Sequence, residues 1–167
     1  TVPVIYNTKR FRSHLEAWGT DLRFWMRFPT QAGEAVTVKV AISAVSTEGA
    51  VNNMRELEGK DFATLKMEGE KLWEEQLSKF AIEGTQEQKE TFYTSVYHAF
   101  LHPFIFQDAD GRFRELDKNI GKAEGFTNYT VFSLWDTYRA LHPLFNLVQR
   151  DINVDIINSM LAHYDKS

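Results

Sequence analysis

The residues best suited to chemistry lie in one run, Thr130-Val131-Phe132-Ser133-Leu134-Trp135-Asp136-Thr137-Tyr138-Arg139. It sets an acid, a base and an indole in an apolar stretch, with a phenol and hydroxyls beside them. A carboxylate in such company needs a partner or a task, because an unpaired buried charge is costly. Two readings are open. In one, Asp136 and Arg139 pair at i, i+3 and stabilise the first turn of a helix. In the other, Trp135 offers an apolar face to a sugar ring, while Asp136 and Arg139 offer directional hydrogen bonds to its hydroxyls.

Other groups are weaker candidates. His98 and His102 stand at i, i+4, a spacing that can hold a transition metal. The zinc-protease pattern needs Glu after the first His; here Ala99 follows, no third ligand is evident, and an end-of-helix pair is the simpler account. Asp108, Asp110 and Gly111 resemble part of a calcium loop, but with Gly111 in sixth place the first ligand position holds Phe106. A tight turn accounts better for them. No phosphate loop, dinucleotide fingerprint or nucleophilic serine elbow is present. The 23 carboxylates could form many acid/base pairs, but sequence does not give their separations.

The surrounding elements are read from periodicity. Residues 1–46 read as strands: Val2, Val4 and Tyr6 alternate, as do Leu22, Phe24 and Met26, and Val36, Val38, Val40 and Ile42 give the clearest run. Gly19 and the segment from Pro29 to Gly33 read as turns. A sheet with so few strands and one apolar face lacks its second layer. After Ser46 the spacing turns helical. A short helix carries Ala50, Val51 and Met54, Gly59 interrupts, and Asp61 caps a helix bearing Phe62, Leu65, Leu72, Trp73, Leu77 and Phe80, with Gly69 at a bend or close contact. Phe80 to Gly84 reads as a short strand. Thr85 and Gln88 form a capping box opening a helix with Phe92, Val96, Ala99 and Phe100 inward, ended by Pro103. Phe104-Ile105-Phe106 and the stretch after Asp110-Gly111 read as a hairpin, and 114–128 as an extended loop. Pro143 kinks or restarts the helix after Trp135. Asp151 or Asn153 caps the last helix, with Val154, Ile157, Leu161 and Tyr164 as its apolar stripe. Strands followed by helices make an α+β order.

Composition bounds the function. A formal charge of −4 without a basic cluster argues against nucleic acid as a partner. No apolar run approaches the roughly 18 residues of a membrane span. The absence of cysteine removes thiolate chemistry and disulfides without fixing the compartment. An aromatic fraction of 14% requires either a large aromatic core or burial against further elements. The abrupt ends lead us to expect a processed chain or an excised piece.

Several collinear segments now resemble one family. They are Val40-Ala41-Ile42-Ser43-Ala44-Val45-Ser46, Phe92-Tyr93-Thr94-Ser95-Val96-Tyr97-His98, Asp108-Ala109-Asp110-Gly111-Arg112-Phe113 and Phe132-Ser133-Leu134-Trp135-Asp136-Thr137-Tyr138-Arg139, extended by Leu141-His142-Pro143-Leu144 and Asn158-Ser159-Met160-Leu161. In order and spacing they resemble the calcium-dependent exo-α-mannosidases of glycoside hydrolase family 92. The resemblance implies the end of a β-sandwich over 1–46, a helical linker over 47–84, and the opening helices of an (α/α)6 barrel over 85–167. It implies an inverting, α-1,2-mannosidase-like enzyme that removes terminal α-mannose, as in N-glycan degradation, with calcium helping to bind and distort the sugar. By matching, Asp136 contacts hydroxyls of the terminal mannose, Trp135 is a wall of the site and Arg139 an orienting partner. The family's acid, base and main calcium ligands lie downstream of this motif, so no catalytic or metal residue is assigned here. The chain is expected to be an internal fragment, inactive alone, whose partners are a mannose-containing glycan and the remainder of its parent polypeptide. The resemblance also implies a bacterial protein placed in the periplasm or outside the cell. The alternative is a non-catalytic carbohydrate-binding or interaction module on a related scaffold.

Overall fold

The computed structural model describes residues 4–6, 10–12 and 18–166. They fall into two units, Thr1–Val38 and Lys39–Ser167. Val2 of the first alternating run lies outside the described residues.

In the first unit, β1 (Val4–Tyr6) is the middle strand of an antiparallel sheet, between β2 (Arg10–Arg12) and β3 (Arg23–Trp25). Around β3 the expected apolar side, Leu22, Phe24 and Met26, is exposed, whereas Trp25 is half-buried with the Arg27 guanidinium 5.6 Å from its ring centre. The turn before Glu34 forms as expected, with Glu34 N–H donating to Gln31 O at 3.1 Å and Gly33 at φ +84. The strand expected over Val36 to Ile42 does not form. Those residues make no strand pairing, and Val36, Val38, Val40 and Ile42 are between 45% and 83% exposed. Alternation marks a chain fit for a sheet, but a strand also needs a neighbour to take its backbone groups.

In the second unit, Ser46 caps α1 (Thr47–Asn53) by accepting from Gly49 N–H, and a 3-10 turn follows over Met54–Leu57. Lys39 Nζ donates to Leu57 O and Lys60 O, both at 2.9 Å, so the ammonium satisfies carbonyls that the helix end would leave open. Asp61 accepts from Thr64 N–H at 2.8 Å and opens α2 (Phe62–Leu77). Leu65, Trp73 and Leu77 are half-buried, but Phe62 and Leu72 are exposed. Gly69 has nothing within 4 Å of where a Cβ would sit, so the expected close contact is absent.

The segment Phe80 to Gly84 is a loop and not the expected strand, since it has no pairing partner. Phe80 instead packs its ring 5.8 Å from Phe92 and 6.1 Å from Phe100, and its carbonyl accepts from Tyr93 OH at 2.8 Å. The full capping box of Thr85 and Gln88 opens α3 (Gln86–Phe100), with Val96 buried. Trp73 of α2 meets Tyr97 of α3 at 4.5 Å.

Two small antiparallel ribbons follow. The tight turn at Asp110-Gly111 is present: Gly111 N–H donates to Asp108 O at 2.8 Å, and Gly111 has φ +80, which its missing side chain allows. Its flanks do not form the expected hairpin. The strand β4 (Phe104–Ile105) pairs with β7 (Tyr129–Thr130), while β5 (Arg112–Arg114) pairs with β6 (Ile120–Lys122). The segment 114–128 is therefore no plain loop. Local turn chemistry fixes the bend, whereas pairing follows from nearby partners that the turn does not reveal.

The chain then runs through α4 (Leu134–Thr137), α5 (Leu141–Val148) and α6 (Arg150–Tyr164). Pro143 lies in the first turn of α5, where its missing N–H costs nothing. Neither Asp151 nor Asn153 caps α6; Gln149 occupies that position without a side-chain cap. Asn153 is buried and bridges His142 Nδ1 (3.1 Å) and Asn146 Oδ1 (2.7 Å). Lys79 Nζ ties the end of α2 to this junction through Val148 O (3.2 Å) and Gln149 Oε1 (2.8 Å).

Tyr129, Phe145 and Ile156 form the core, with Phe100, Phe132, Leu141, Ile152 and Met160 against it. The buried face of α6 carries Asn153, Ile156 and Ser159, and the expected stripe of Val154, Ile157, Leu161 and Tyr164 is exposed. Helical spacing picks out one apolar stripe on α6, and the covered face is a different one because two of its buried residues are polar and invisible to that spacing. No helix among the described residues is long and apolar enough to cross a membrane.

Candidate functional site

The run from Thr130 to Arg139 is suspended between two anchored elements. On one side, β7 is held to α6 because Tyr129 N–H donates to the buried Ser159 hydroxyl at 2.9 Å, and Ser159 donates to Asp155 O at 2.7 Å. Burial, and then the Asp155 charge, push the Tyr129 phenol above its ordinary range. Phe132 is half-buried against the core with its ring 5.7 Å from that of His163. On the other side, α5 begins at Leu141, itself packed on the core. Between these anchors α4 presents Leu134, Trp135 and Asp136 outward.

Ser133 precedes α4 with φ −122 and ψ 65, neither helical nor extended. Its carbonyl accepts from Asp136 N–H (3.0 Å), Thr137 N–H (3.1 Å) and Thr137 Oγ1 (3.1 Å). Its hydroxyl donates to Asp136 Oδ2 at 2.5 Å, within the range of charge-assisted bonds. Among the described residues Asp136 and Arg139 form no ion pair, so the reading of a helix-stabilising i, i+3 pair is corrected. The reason is local. Ser133 is already in reach of the carboxylate, and the Arg139 guanidinium lies over two rings, 5.9 Å from the Trp135 centroid and 5.6 Å from that of Tyr138. Arg139 Nε also donates to Tyr138 OH at 3.3 Å.

The structure thus brings Trp135 and Arg139 together and turns Asp136 toward Ser133. Trp135 is 78% exposed and Tyr138 58%, so two aromatic rings with a guanidinium on them lie open. Asp136 Oδ1 accepts from no donor among the described residues. Such a surface can hold a polyol by stacking and hydrogen bonding. A cavity of about 500 Å³ among the described residues is lined by Ser43, Val45, Phe104, Phe106, Phe113 and neighbours, with none of Trp135, Asp136 or Arg139.

Sequence reasoning gave Ser133 no role. Ser133-Leu134-Trp135-Asp136 has the S-x-x-[DE] spacing of a capping box, and that was the available signal. Asp108 does more than serve the turn: its carboxylate is buried and accepts from Ser43 Oγ (2.6 Å) and Asn53 Nδ2 (2.9 Å), while Ala109 N–H donates to Asn53 Oδ1 at 2.8 Å. It knits residues far apart in sequence. His98 and His102 do not stand alone: their rings lie 5.7 Å from Tyr97 and 5.3 Å from Phe104. Among the described residues no three His, Cys, Asp or Glu side chains gather where they could hold a metal ion. With both oxygens of Asp108 already committed, the described donor set does not fit a calcium site.

Comparison with known proteins places the chain. Residues 49–167 match the model of the glycosyl hydrolase family 92 catalytic domain. The family GH92 alpha-mannosidase BT3965 from Bacteroides thetaiotaomicron, solved alone and in complex with mannoimidazole, is 60% identical over 99% of this chain, with a TM-score of 0.87. The GH92 family glycosyl hydrolase ccman5 is 26% identical over 70% of the chain, with a TM-score of 0.66. The chain spans 23% of the length of the first and 16% of the second. No curated protein matches it. With the family model covering residues 49–167, the chain belongs to glycosyl hydrolase family 92.

Proposed function

We propose that the protein containing these residues is an inverting, calcium-dependent exo-α-mannosidase, α-1,2-mannosidase-like, that removes terminal mannose from glycans. The observation that carries this reading is the 60% identity, over 99% of the chain, to an alpha-mannosidase solved with mannoimidazole, a mannose mimic. Asp136 accepts hydrogen bonds from hydroxyls of the terminal mannose through its open Oδ1, Trp135 walls the sugar, and Arg139 orients it.

Residues 1–46 belong to the end of a β-sandwich, 47–84 to a linker, and 85–167 to the opening helices of an (α/α)6 barrel. Two exposed apolar rows support this division: Val36, Val38, Val40 and Ile42 suit a sheet neighbour, and Val154, Ile157, Leu161 and Tyr164 suit a neighbouring helix. The general acid, the general base and the calcium ligands belong to other parts of the protein, which acts in the periplasm or outside the cell. An inverting enzyme sets its two carboxyl groups roughly 6.5–9.5 Å apart, leaving room for the attacking water.

Proton NMR of the full-length protein acting on an α-1,2-linked mannobiose tests this. The first mannose released is the β anomer, and chelating calcium stops its appearance. Release of the α anomer, or release indifferent to chelation, overturns the corresponding part of the reading.

A further inference from the structure

We infer that Ser133 is a positioning residue for Asp136, holding the carboxylate in the orientation in which it meets the sugar. The inference rests on the reading of Asp136 as a sugar ligand and adds to it the group that aims the ligand. An exposed aspartate in water rotates freely about its terminal torsion, and a sugar that binds it must stop that rotation. Here the rotation is stopped beforehand. The Ser133 hydroxyl donates to Oδ2 at 2.5 Å, which leaves Oδ1 as the oxygen without a donor among the described residues.

Ser133 can do this because it is itself fixed. Its carbonyl takes the N–H groups of Asp136 and Thr137 and the hydroxyl of Thr137, and Phe132 beside it packs on the core. The hydroxyl caps no backbone N–H of α4, so supporting the helix is not its use. The bond also gives the hydroxyl a fixed sense. As a donor to Oδ2 it leaves Oδ1 of the carboxylate as the acceptor turned to the sugar, so the hydroxyl acts through Asp136.

The test is a double-mutant cycle in the full-length enzyme, with Ser133→Ala, Asp136→Asn and both together, followed by kcat/KM on an α-mannoside and by thermal melting. Asp136→Asn lowers kcat/KM strongly. Ser133→Ala lowers it roughly tenfold with an unchanged melting temperature, and Ser133→Thr, which keeps the hydroxyl, restores most of the loss. In the double variant Ser133→Ala adds little to Asp136→Asn, because the hydroxyl acts through the carboxylate. A silent Ser133→Ala beside a damaging Asp136→Asn overturns the role of Ser133 and leaves Asp136 standing. Fully additive losses also overturn it. A silent Asp136→Asn removes Asp136 itself from the site. Loss of melting temperature in Ser133→Ala that Ser133→Thr repairs assigns the hydroxyl to folding and overturns positioning.

Discussion

Asp136 and Asp108 show how two aspartates in one chain acquire different work from their surroundings. Asp108 is buried and both its oxygens are taken by Ser43 and Asn53, whereas Asp136 is exposed with one oxygen taken by Ser133. Removing the Asp108 acceptor by Asp108→Ala strands two donors, and unfolding of the full-length protein should become easier by about 1–3 kcal/mol. Denaturant titration checks that, and an unchanged midpoint would show the network to be dispensable. Gly49 belongs to the same knot, since a Cβ there would collide with Asp108 Oδ2 and sit 2.7 Å from Ser43 Oγ. At Asp136 the loss should fall on kinetics. Asp136→Asn should lower kcat/KM of the full-length enzyme by roughly 10–100-fold, corresponding to about 1.5–3 kcal/mol for hydrogen bonds to a charged group. Burial lowers the imidazole pKa of His163 from its ordinary value of 6.5. A depressed histidine leaves stability complete above 6.5 and loses it as pH falls through the folded value, because the unfolded chain takes the proton first. The melting temperature should therefore drop on acidification below about 6.5, and His163→Gln should flatten that part of the profile.

At the scale of elements, the helices were legible where the chain carries its own instructions. Asp61, the Thr85–Gln88 box and the helical spacing of Phe92, Val96 and Phe100 act within a few residues, and each does what it was read to do. The errors lie where a partner decides. Val36 to Ile42 alternates as a strand but meets no strand, and Phe80 to Gly84 is fastened by aromatic packing and one phenol bond instead of a ladder. On α6 the apolar stripe chosen from sequence is the exposed one, and the covered face carries the polar Asn153 and Ser159 beside Ile156. Polar residues on a buried face are invisible to hydrophobic periodicity until their hydrogen bonds are seen. If α6 belongs to a helical barrel, its stripe is covered in the whole protein. Leu161→Asp should then destabilise the full-length protein by about 2 kcal/mol or more, and an unaltered melting curve would mean that this face stays in water.

For the whole molecule, membership of glycosyl hydrolase family 92 was readable from collinear motifs, because they recur in order over most of the chain. The chemistry of bond cleavage was not, since no acid–base pair can be assigned among these residues. The place proposed to hold a sugar has Trp135 and Tyr138 open to solvent, Arg139 laid across them, and Asp136 hydrogen-bonded to Ser133. That is the central claim, and a crystal structure of the full-length protein soaked with mannoimidazole tests it most directly. The account predicts Asp136 Oδ1 at about 3 Å or less from a hydroxyl of the bound mimic, with Ser133 still on Oδ2 and Trp135 along the ring. A mimic seated in the catalytic cleft with Asp136 beyond hydrogen-bonding reach would contradict it.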